Sequence, residues 1–144
     1  MKTTAVILAG GKGTRMHSAL PKVLHPLQGR PMIAYSIENA FRLTGQKPLV
    51  VLGHAAESIQ AAIGDSADVA QQEPQLGTGH ALLQANPLLQ GKTECVVALP
   101  ADLPLVRLET LQQLLQAHQE QPVTMLSVTS SSARGFGRVV RDKS

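Results

Sequence analysis

The chain has 144 residues, of which 43% are hydrophobic and 16% charged, with a formal net charge of +3 and a pI near 9.4. That length is enough for one ordinary domain, and the hydrophobic fraction excludes an intrinsically disordered chain. Aromatic residues make up only 2% of the chain and the cations are dispersed, so we expect a phosphorylated small ligand and no nucleic acid.

The number of cysteines and the first residues of the chain indicate in which cellular compartment the protein is expected. Cys95 is the only cysteine, so no internal disulfide can form and a reducing compartment is the simpler reading. It lies in the apolar run 95–99, which predicts a buried thiol rather than a nucleophile. The first residues show no signal-peptide pattern, and no apolar run is long enough to span a membrane. We therefore expect a soluble, cytoplasmic protein with no membrane partner.

The first predicted element, a strand over Thr4–Leu8, runs directly into a glycine-rich loop. Glycines allow positive φ angles and close approach of a ligand to the backbone, whose successive N–H groups can hold an anion. Two cations, Arg15 and Lys22, follow the loop. A strand that ends in a cationic glycine loop predicts a nucleoside triphosphate site, with these candidate contacts: Leu8, Ala9, Gly10, Gly11, Gly13 and Thr14.

Two common phosphate motifs do not fit this loop. The P-loop requires Ser or Thr after its Gly-Lys pair, whereas Gly13 follows Lys12 here. The dinucleotide-binding fingerprint requires a third glycine where Met16 stands. The remaining alternative is a βα turn that binds nothing, and the presence of Arg15 and Lys22 argues against it.

Strand-like and helix-like segments alternate along the rest of the chain. Further strands are predicted at Leu49–Leu52, Asp68–Gln71, Glu94–Leu99 and Val123–Val128, and residues 137–141 begin like another. Apolar residues at helical spacing predict helices over 32–41, 59–63, 78–85 and 108–115, with Pro31 suited to a first helical position. This alternation predicts an α/β fold with a doubly wound, mainly parallel sheet. Ligands of such sheets bind beyond the carboxyl ends of the strands.

Asp102 follows the predicted strand Glu94–Leu99, within the proline-flanked segment Pro100–Pro104. A carboxylate at the end of a strand, facing bound phosphates, suits Mg²⁺, which prefers one or two carboxylates together with phosphate oxygens and water. An exposed loop aspartate or a helix N-cap is the alternative. Because the glycine loop is expected at the same sheet edge, we favour the metal role.

The segment 71–81 is rich in glutamine and glycine. Gln72 and Gln75 can each donate and accept hydrogen bonds, which suits the edge of a pyrimidine base. Gly77 allows close backbone approach, and Thr78 is suited to cap the following helix. A connection with solvated glutamines is the alternative on composition alone. The five histidines have no metal-ligand spacing and are interpreted as structural or surface residues.

Together these segments resemble the sugar-nucleotide pyrophosphorylases, most closely the N-terminal uridylyltransferase domain of the bifunctional GlmU family. The resemblance is carried by the motifs Leu8–Met16, Leu20–His25, Gly29–Ile33, Gln75–Ala81 and Gly135–Arg138. It implies a Rossmann-like nucleotidyltransferase that transfers UMP from UTP to N-acetylglucosamine 1-phosphate and releases pyrophosphate, with Mg²⁺ as cofactor. By matching position, Arg15 and Lys22 are the catalytic cations and Asp102 binds the metal. Gln72, Gln75, Gly77 and Thr78 contact uracil, and Gly137 contacts the sugar.

The sequence departs from this family in two respects. Pro100 and Ala101 stand before Asp102, where the family has an aromatic or small residue and a glycine. Family members also continue with further sugar and metal ligands and with an acetyltransferase domain that makes them trimeric. The resemblance therefore implies that residues 1–144 are the nucleotide-binding part of a nucleotidyltransferase domain whose C-terminal part is missing. A homo-oligomer is compatible with this, and a trimer is expected only with that further domain.

Two alternative functions stay open at this stage. One is a fragment that binds UTP or UDP without turnover. The other is a cytidylyltransferase of the molybdopterin type, whose acidic loop at a strand end resembles Ala101–Leu105, although the segment Gln75–Ala81 argues against it.

Overall fold

The computed structural model describes residues 1–13, 16–119, 121–132, 134–135 and 137–142. The chain forms two compact units, residues 1–108 and 109–144. The strands of the first unit are β1 (Thr3–Ala9), β2 (Pro26–Leu27), β3 (Arg30–Pro31), β4 (Leu49–Leu52), β5 (Asp68–Gln71) and β6 (Cys95–Pro100). Its helices are α1 (Met32–Thr44), α2 (Ala56–Ile63) and α3 (Thr78–Leu89), with short 3₁₀ turns at Lys22–Leu24 and Gly64–Ser66.

The main sheet has four parallel strands in the order β5-β4-β1-β6. The chain leaves β1 toward β4 and β5, then crosses back to place β6 on the other side of β1. This reversal of direction is the topological switch point of a doubly wound sheet. The fold class predicted from the alternation of strands and helices is confirmed.

Alternating side chains of the sheet enter two separate core layers. Ile7 and Leu52 face the layer that contains Ile33 and Ile37 of α1 and Ile59 of α2. On the opposite face, Val6 and Val51 pack in the layer that contains Ala81, Ala85 and Leu89 of α3. Because both faces are covered, the strands are continuously apolar, as is usual for buried parallel sheets.

A two-stranded antiparallel hairpin, β2–β3, precedes α1. Its turn residues, Gln28 and Gly29, both have positive φ angles of 49° and 79°, as tight hairpin turns require. Arg30 donates to Glu38 of α1 at 2.8 Å, and this hydrogen bond lowers the pKa of the Glu38 carboxyl. Pro31 occupies the N-cap of α1, one position before its predicted place. Phe41, the last apolar residue of the helix predicted over 32–41, is 52% exposed.

The second unit contains the helix α4 (Leu108–Ala117), which begins at the last residue of the first unit. His118 Nδ1 lies 2.9 Å from Thr124 Oγ1 beyond the helix. The predicted strand Val123–Val128 is wrong, since these residues have no ladder partner and Val123 and Val128 are exposed. An apolar run becomes a strand only where a neighbouring strand pairs with it and its faces are covered. The strand expected at 137–141 is also absent from the described residues 137–142. Within the part of the chain described here, no helix is long and apolar enough to cross a membrane.

Candidate active site

The candidate site lies at the carboxyl ends of β1 and β6, which are adjacent parallel strands. Leu8 pairs with Pro100 in the ladder, and the Leu8 carbonyl accepts a hydrogen bond from the Ala101 N–H at 3.1 Å. The glycine loop after β1 and the acidic segment after β6 therefore leave the sheet side by side, as predicted. This is the switch point, where open α/β sheets bind their ligands.

Three glycines shape the loop in different ways. Gly13 has a φ of +60°, and a Cβ at this position would lie 2.8 Å from the Lys22 Cβ, so its conformation and its neighbour both require glycine. A side chain at Gly10 would collide with the Gln72 Oε1. Gly11 has open space around it, which leaves its backbone accessible to a ligand.

Lys22 is held in place by the short turn that it begins. Its neighbour Val23 is buried in the core layer of α1 and α2, and the Lys22 carbonyl accepts from the His25 N–H at 3.2 Å. Lys22 Nζ donates to Asp102 Oδ2 at 2.6 Å, and the two side chains are 35% and 37% exposed. The predicted catalytic cation and the predicted metal ligand therefore form an ion pair at the mouth of the site.

Asp102 is positioned by the residue before it. Ala101 is buried in the same core layer, and its carbonyl lies 3.4 Å from the Ser36 hydroxyl that donates to it. The dipeptide Pro100-Ala101, which departs from the family pattern, therefore still carries the carboxylate to the site.

The donor set around Asp102 fits a magnesium ion that is completed by substrate. Mg²⁺ is usually held by one or two carboxylates, with phosphate oxygens and water filling the other positions. Asp102 supplies one carboxylate, and its pair with Lys22 uses only Oδ2. Among the described residues, no group of three or more His, Cys, Asp or Glu could hold a metal by itself. Phosphate oxygens of a ligand and water would supply the other positions around a metal held by Asp102.

Gln72 follows β5 and is a buried polar residue next to the loop, with only 4% of its surface exposed. Its amide nitrogen donates to the Gly77 carbonyl at 3.0 Å and lies 3.2 Å from His80 Nδ1. The sequence indicated a side chain free to donate and accept. In the structure both amide N–H groups are directed to neighbours within the protein, so Oε1 is the group left for a ligand.

The other residues of this segment lie at the surface of the same region. Gln75 is exposed, and its Cγ lies 3.0 Å from where a Cβ on Gly53 would be. Gly77 has a φ of 99° and is the N-cap of α3, so Thr78 is the first helical residue and not the cap that we predicted. The positive φ of Gly77 explains the difference, because it makes the turn that the cap requires.

Three predicted contacts cannot be placed in this site. Thr14 and Arg15 lie outside the described residues. Gly137 belongs to the second unit, in a stretch without regular secondary structure.

Two residues near the site were not assigned a role from the sequence. Gly53 follows β4, and a Cβ there would lie 2.9 Å from the Gly10 carbonyl oxygen, so this glycine lets two strand ends approach closely. A glycine directly after a buried strand was the available signal. His80 was interpreted as a structural or surface residue, and its two ring nitrogens contact Gln72 and Gln84.

Comparison with known protein families agrees with the motifs. A model described as the MobA-like NTP transferase domain matches residues 5–138. The chain is 49% identical over 138 residues to the bifunctional protein GlmU of Burkholderia lata, covering 95% of this chain and 30% of that protein. It is 44% identical over 143 residues to the same enzyme of an Exiguobacterium species, covering 98% and 32% respectively. The chain thus spans about a third of the length of these curated relatives.

Solved structures support the same fold. Rv0371c of Mycobacterium tuberculosis H37Rv matches with a TM-score of 0.70 and 24% identity, covering 81% of this chain and 60% of that one. A manganese complex of the same protein matches with a TM-score of 0.67 and 24% identity, covering 81% and 59%. At this identity the likeness concerns the fold alone.

Proposed function

The chain belongs to the MobA-like NTP transferase domain family, and on that premise we propose that it transfers UMP from UTP to N-acetylglucosamine 1-phosphate. The products are UDP-N-acetylglucosamine and pyrophosphate. The observation that carries the proposal is the ion pair of Lys22 and Asp102 beside the glycine loop, at the switch point of the sheet. The similarity to the GlmU proteins supports uridine and the amino sugar as the specific substrates.

The reaction requires alignment and charge neutralisation rather than a protein nucleophile. An oxygen of the sugar 1-phosphate attacks the α-phosphorus of UTP, the new P–O bond forms, and the bond to pyrophosphate breaks. The attacking oxygen is already anionic, so no base has to remove a proton from it. Two anions must meet, and preorganised positive charge is the effective way to lower such a barrier. We assign this role to Lys22 and Arg15.

The glycine loop is assigned to the nucleotide. The open space around Gly11 admits a phosphate or the nucleoside close to the backbone, and Gly13 keeps Lys22 next to the loop. In this proposal Leu8, Ala9, Gly10 and Thr14 line the same path. Gln72, Gln75, Gly77 and Thr78 are assigned to the base, and Gly137 to the sugar.

A divalent cation is part of the proposal, with Mg²⁺ as the expected ion. When bound, it would neutralise part of the charge on the triphosphate. Asp102 is the residue that would hold it. The Lys22 ammonium would then no longer pair with the Asp102 carboxylate and would instead donate to a phosphate oxygen of the nucleotide.

The test is release of pyrophosphate from UTP and N-acetylglucosamine 1-phosphate in the presence of Mg²⁺, with UTP alone as the background. We expect release that depends on the sugar phosphate and is lost in Asp102→Asn and Lys22→Met. Binding of UTP without any pyrophosphate release would instead support a nucleotide-binding role. Faster turnover with CTP than with UTP would support a cytidylyltransferase.

A further inference from the structure

We propose that His80 is a positioning residue that sets base specificity, because it fixes the amide of Gln72 with its oxygen as the only group available to a ligand. The inference rests on the proposed function in assigning Gln72 to the base. His80 itself is not expected to contact the nucleotide. It lies in the first turn of α3, and its backbone is set by the Gly77 cap.

The orientation of the Gln72 amide is determined by two acceptors. The Gly77 carbonyl can only accept, so the group that faces it at 3.0 Å is the Gln72 NH₂. The second N–H of that NH₂ points to His80 Nδ1 at 3.2 Å, which must then carry a lone pair. If the amide turned by half a rotation, its oxygen would face the Gly77 carbonyl oxygen, and both hydrogen bonds would be lost.

The contact with Gln72 calls for one tautomer of His80. A neutral imidazole carries one proton, so an accepting Nδ1 places the proton on Nε2. The Gln84 amide nitrogen lies 3.2 Å from Nε2 and 3.5 Å from the His80 carbonyl oxygen. For the Nε2–H tautomer the Gln84 amide has to turn its oxygen toward the ring and give up the 3.5 Å contact, and it then accepts the Nε2 proton. Because Gln84 is one helical turn after His80 on α3, the ring is held from both sides.

The oxygen of Gln72 is the part of the side chain that stays available. Within the described ranges it has no hydrogen-bond partner, although no fully buried side-chain polar atom there lacks one. This oxygen is therefore not completely buried, although Gln72 as a whole is only 4% exposed, and it lies against Gly10 of the loop. A fixed acceptor favours a base with a ring N–H, as uracil has at N3, and disfavours cytosine, which has a lone pair at N3.

Two substitutions separate the ring nitrogens of His80. In His80→Asn the side-chain oxygen can replace Nδ1 as the acceptor for Gln72, whereas in His80→Gln the amide reaches toward the Nε2 position and Gln84. His80→Leu removes both. Calorimetric titration of each variant with UTP, CTP and inorganic tripolyphosphate, in Mg²⁺, compares base recognition with phosphate binding. Circular dichroism and thermal unfolding confirm that each variant is folded.

We expect His80→Leu and His80→Gln to lower the preference for UTP over CTP about three- to tenfold, the scale of one hydrogen bond, with tripolyphosphate affinity unchanged. His80→Asn should keep most of the preference. Wild-type preference in His80→Leu, or an equal loss of tripolyphosphate affinity, would overturn the inference. Long-range ¹H–¹⁵N spectra of the ring are expected to show the Nε2–H tautomer, and an Nδ1–H tautomer would overturn it independently. The Nε2–H tautomer in a wild-type chain that binds no UTP would instead overturn the proposed function.

Discussion

Lys22 Nζ and Asp102 Oδ2 lie 2.6 Å apart although 80 residues separate them in the sequence. Each side chain is about one third exposed, so the pair is solvated and contributes little to stability. Its placement beside the glycine loop has a functional consequence. Lys22 attracts an arriving triphosphate, whereas Asp102 without a metal repels it. We therefore expect the two substitutions to have different effects on nucleotide binding and turnover.

Replacement of Asp102 by Asn should change nucleotide binding in opposite directions with and without metal. Without metal, the carboxylate repels the triphosphate and engages Lys22, so its loss should raise UTP affinity about two- to fivefold. With Mg²⁺, the gain in affinity that the metal gives wild type should largely disappear. Titration with UTP in EDTA and in excess Mg²⁺ measures both effects. Asp68→Asn, at the exposed start of β5 on the opposite sheet edge, is the matched control, and an undiminished metal effect in Asp102→Asn would contradict the assignment.

Replacement of Lys22 by Met should impair turnover far more than it impairs folding. The substitution keeps most of the side-chain length. It removes the positive charge that we propose neutralises the triphosphate and the sugar phosphate when they approach each other. By analogy with the loss of one oxyanion donor, the rate should fall on the order of 10²–10³-fold. Pyrophosphate release gives the rate, and urea unfolding should show a change below about 1 kcal/mol because the pair is solvated. Lys92→Met, in the exposed turn before β6, should behave as wild type in both assays.

Gly11→Ala tests whether the backbone of the loop is approached by ligand. A Cβ at this position meets nothing within 4 Å in the protein, and the backbone does not have a positive φ. The free energy of unfolding should therefore change by no more than about 0.5 kcal/mol. If the nucleotide contacts this backbone, UTP affinity should fall about tenfold or more, since the new methyl group occupies the ligand's space. Unchanged UTP affinity at unchanged stability would show that the ligand does not contact the backbone at Gly11.

Gly53→Ala, unlike Gly11→Ala, should lower the free energy of unfolding. Any loss of UTP affinity in this variant should accompany that loss of stability. Its Cβ would approach the Gly10 carbonyl oxygen at 2.9 Å and the Gly10 Cα at 3.0 Å, and backbone atoms cannot move aside as a flexible side chain can. Forcing such a contact costs about 1–3 kcal/mol. Urea unfolding of Gly53→Ala and Gly11→Ala under the same conditions provides the comparison. Equal stability of the two variants would contradict the close packing of the two strand ends.

The sequence predicted the sheet of the first unit well because its strands are buried on both faces and its helices are amphipathic. It predicted the two loops at one sheet edge for a topological reason, since parallel strands end together. It failed at Val123–Val128 because apolar character does not provide a pairing partner. It could not predict that the two N–H groups of the Gln72 amide are directed to Gly77 and His80, because such contacts depend on the path of the loop that follows the strand.

Cys95 provides a prediction about pH and stability that is independent of the nucleotide site. The thiol is 8% exposed at the start of β6, and burial raises its pKa, opposed in part by a hydrogen bond with Thr3. The charged form of the thiol is therefore less favoured in the folded state than in the unfolded chain, where its pKa is about 8.5. This contribution to stability is complete below the unfolded pKa and is lost as pH rises through the folded pKa.

Urea unfolding between pH 7 and pH 10 should show a steeper decline in the free energy of unfolding for wild type than for Cys95→Ala, which has no thiol to ionise. Subtracting the two curves removes the groups common to both proteins and leaves the thiol, apart from a constant packing difference. Parallel curves over this range would show that the thiol ionises equally in both states, contrary to its burial.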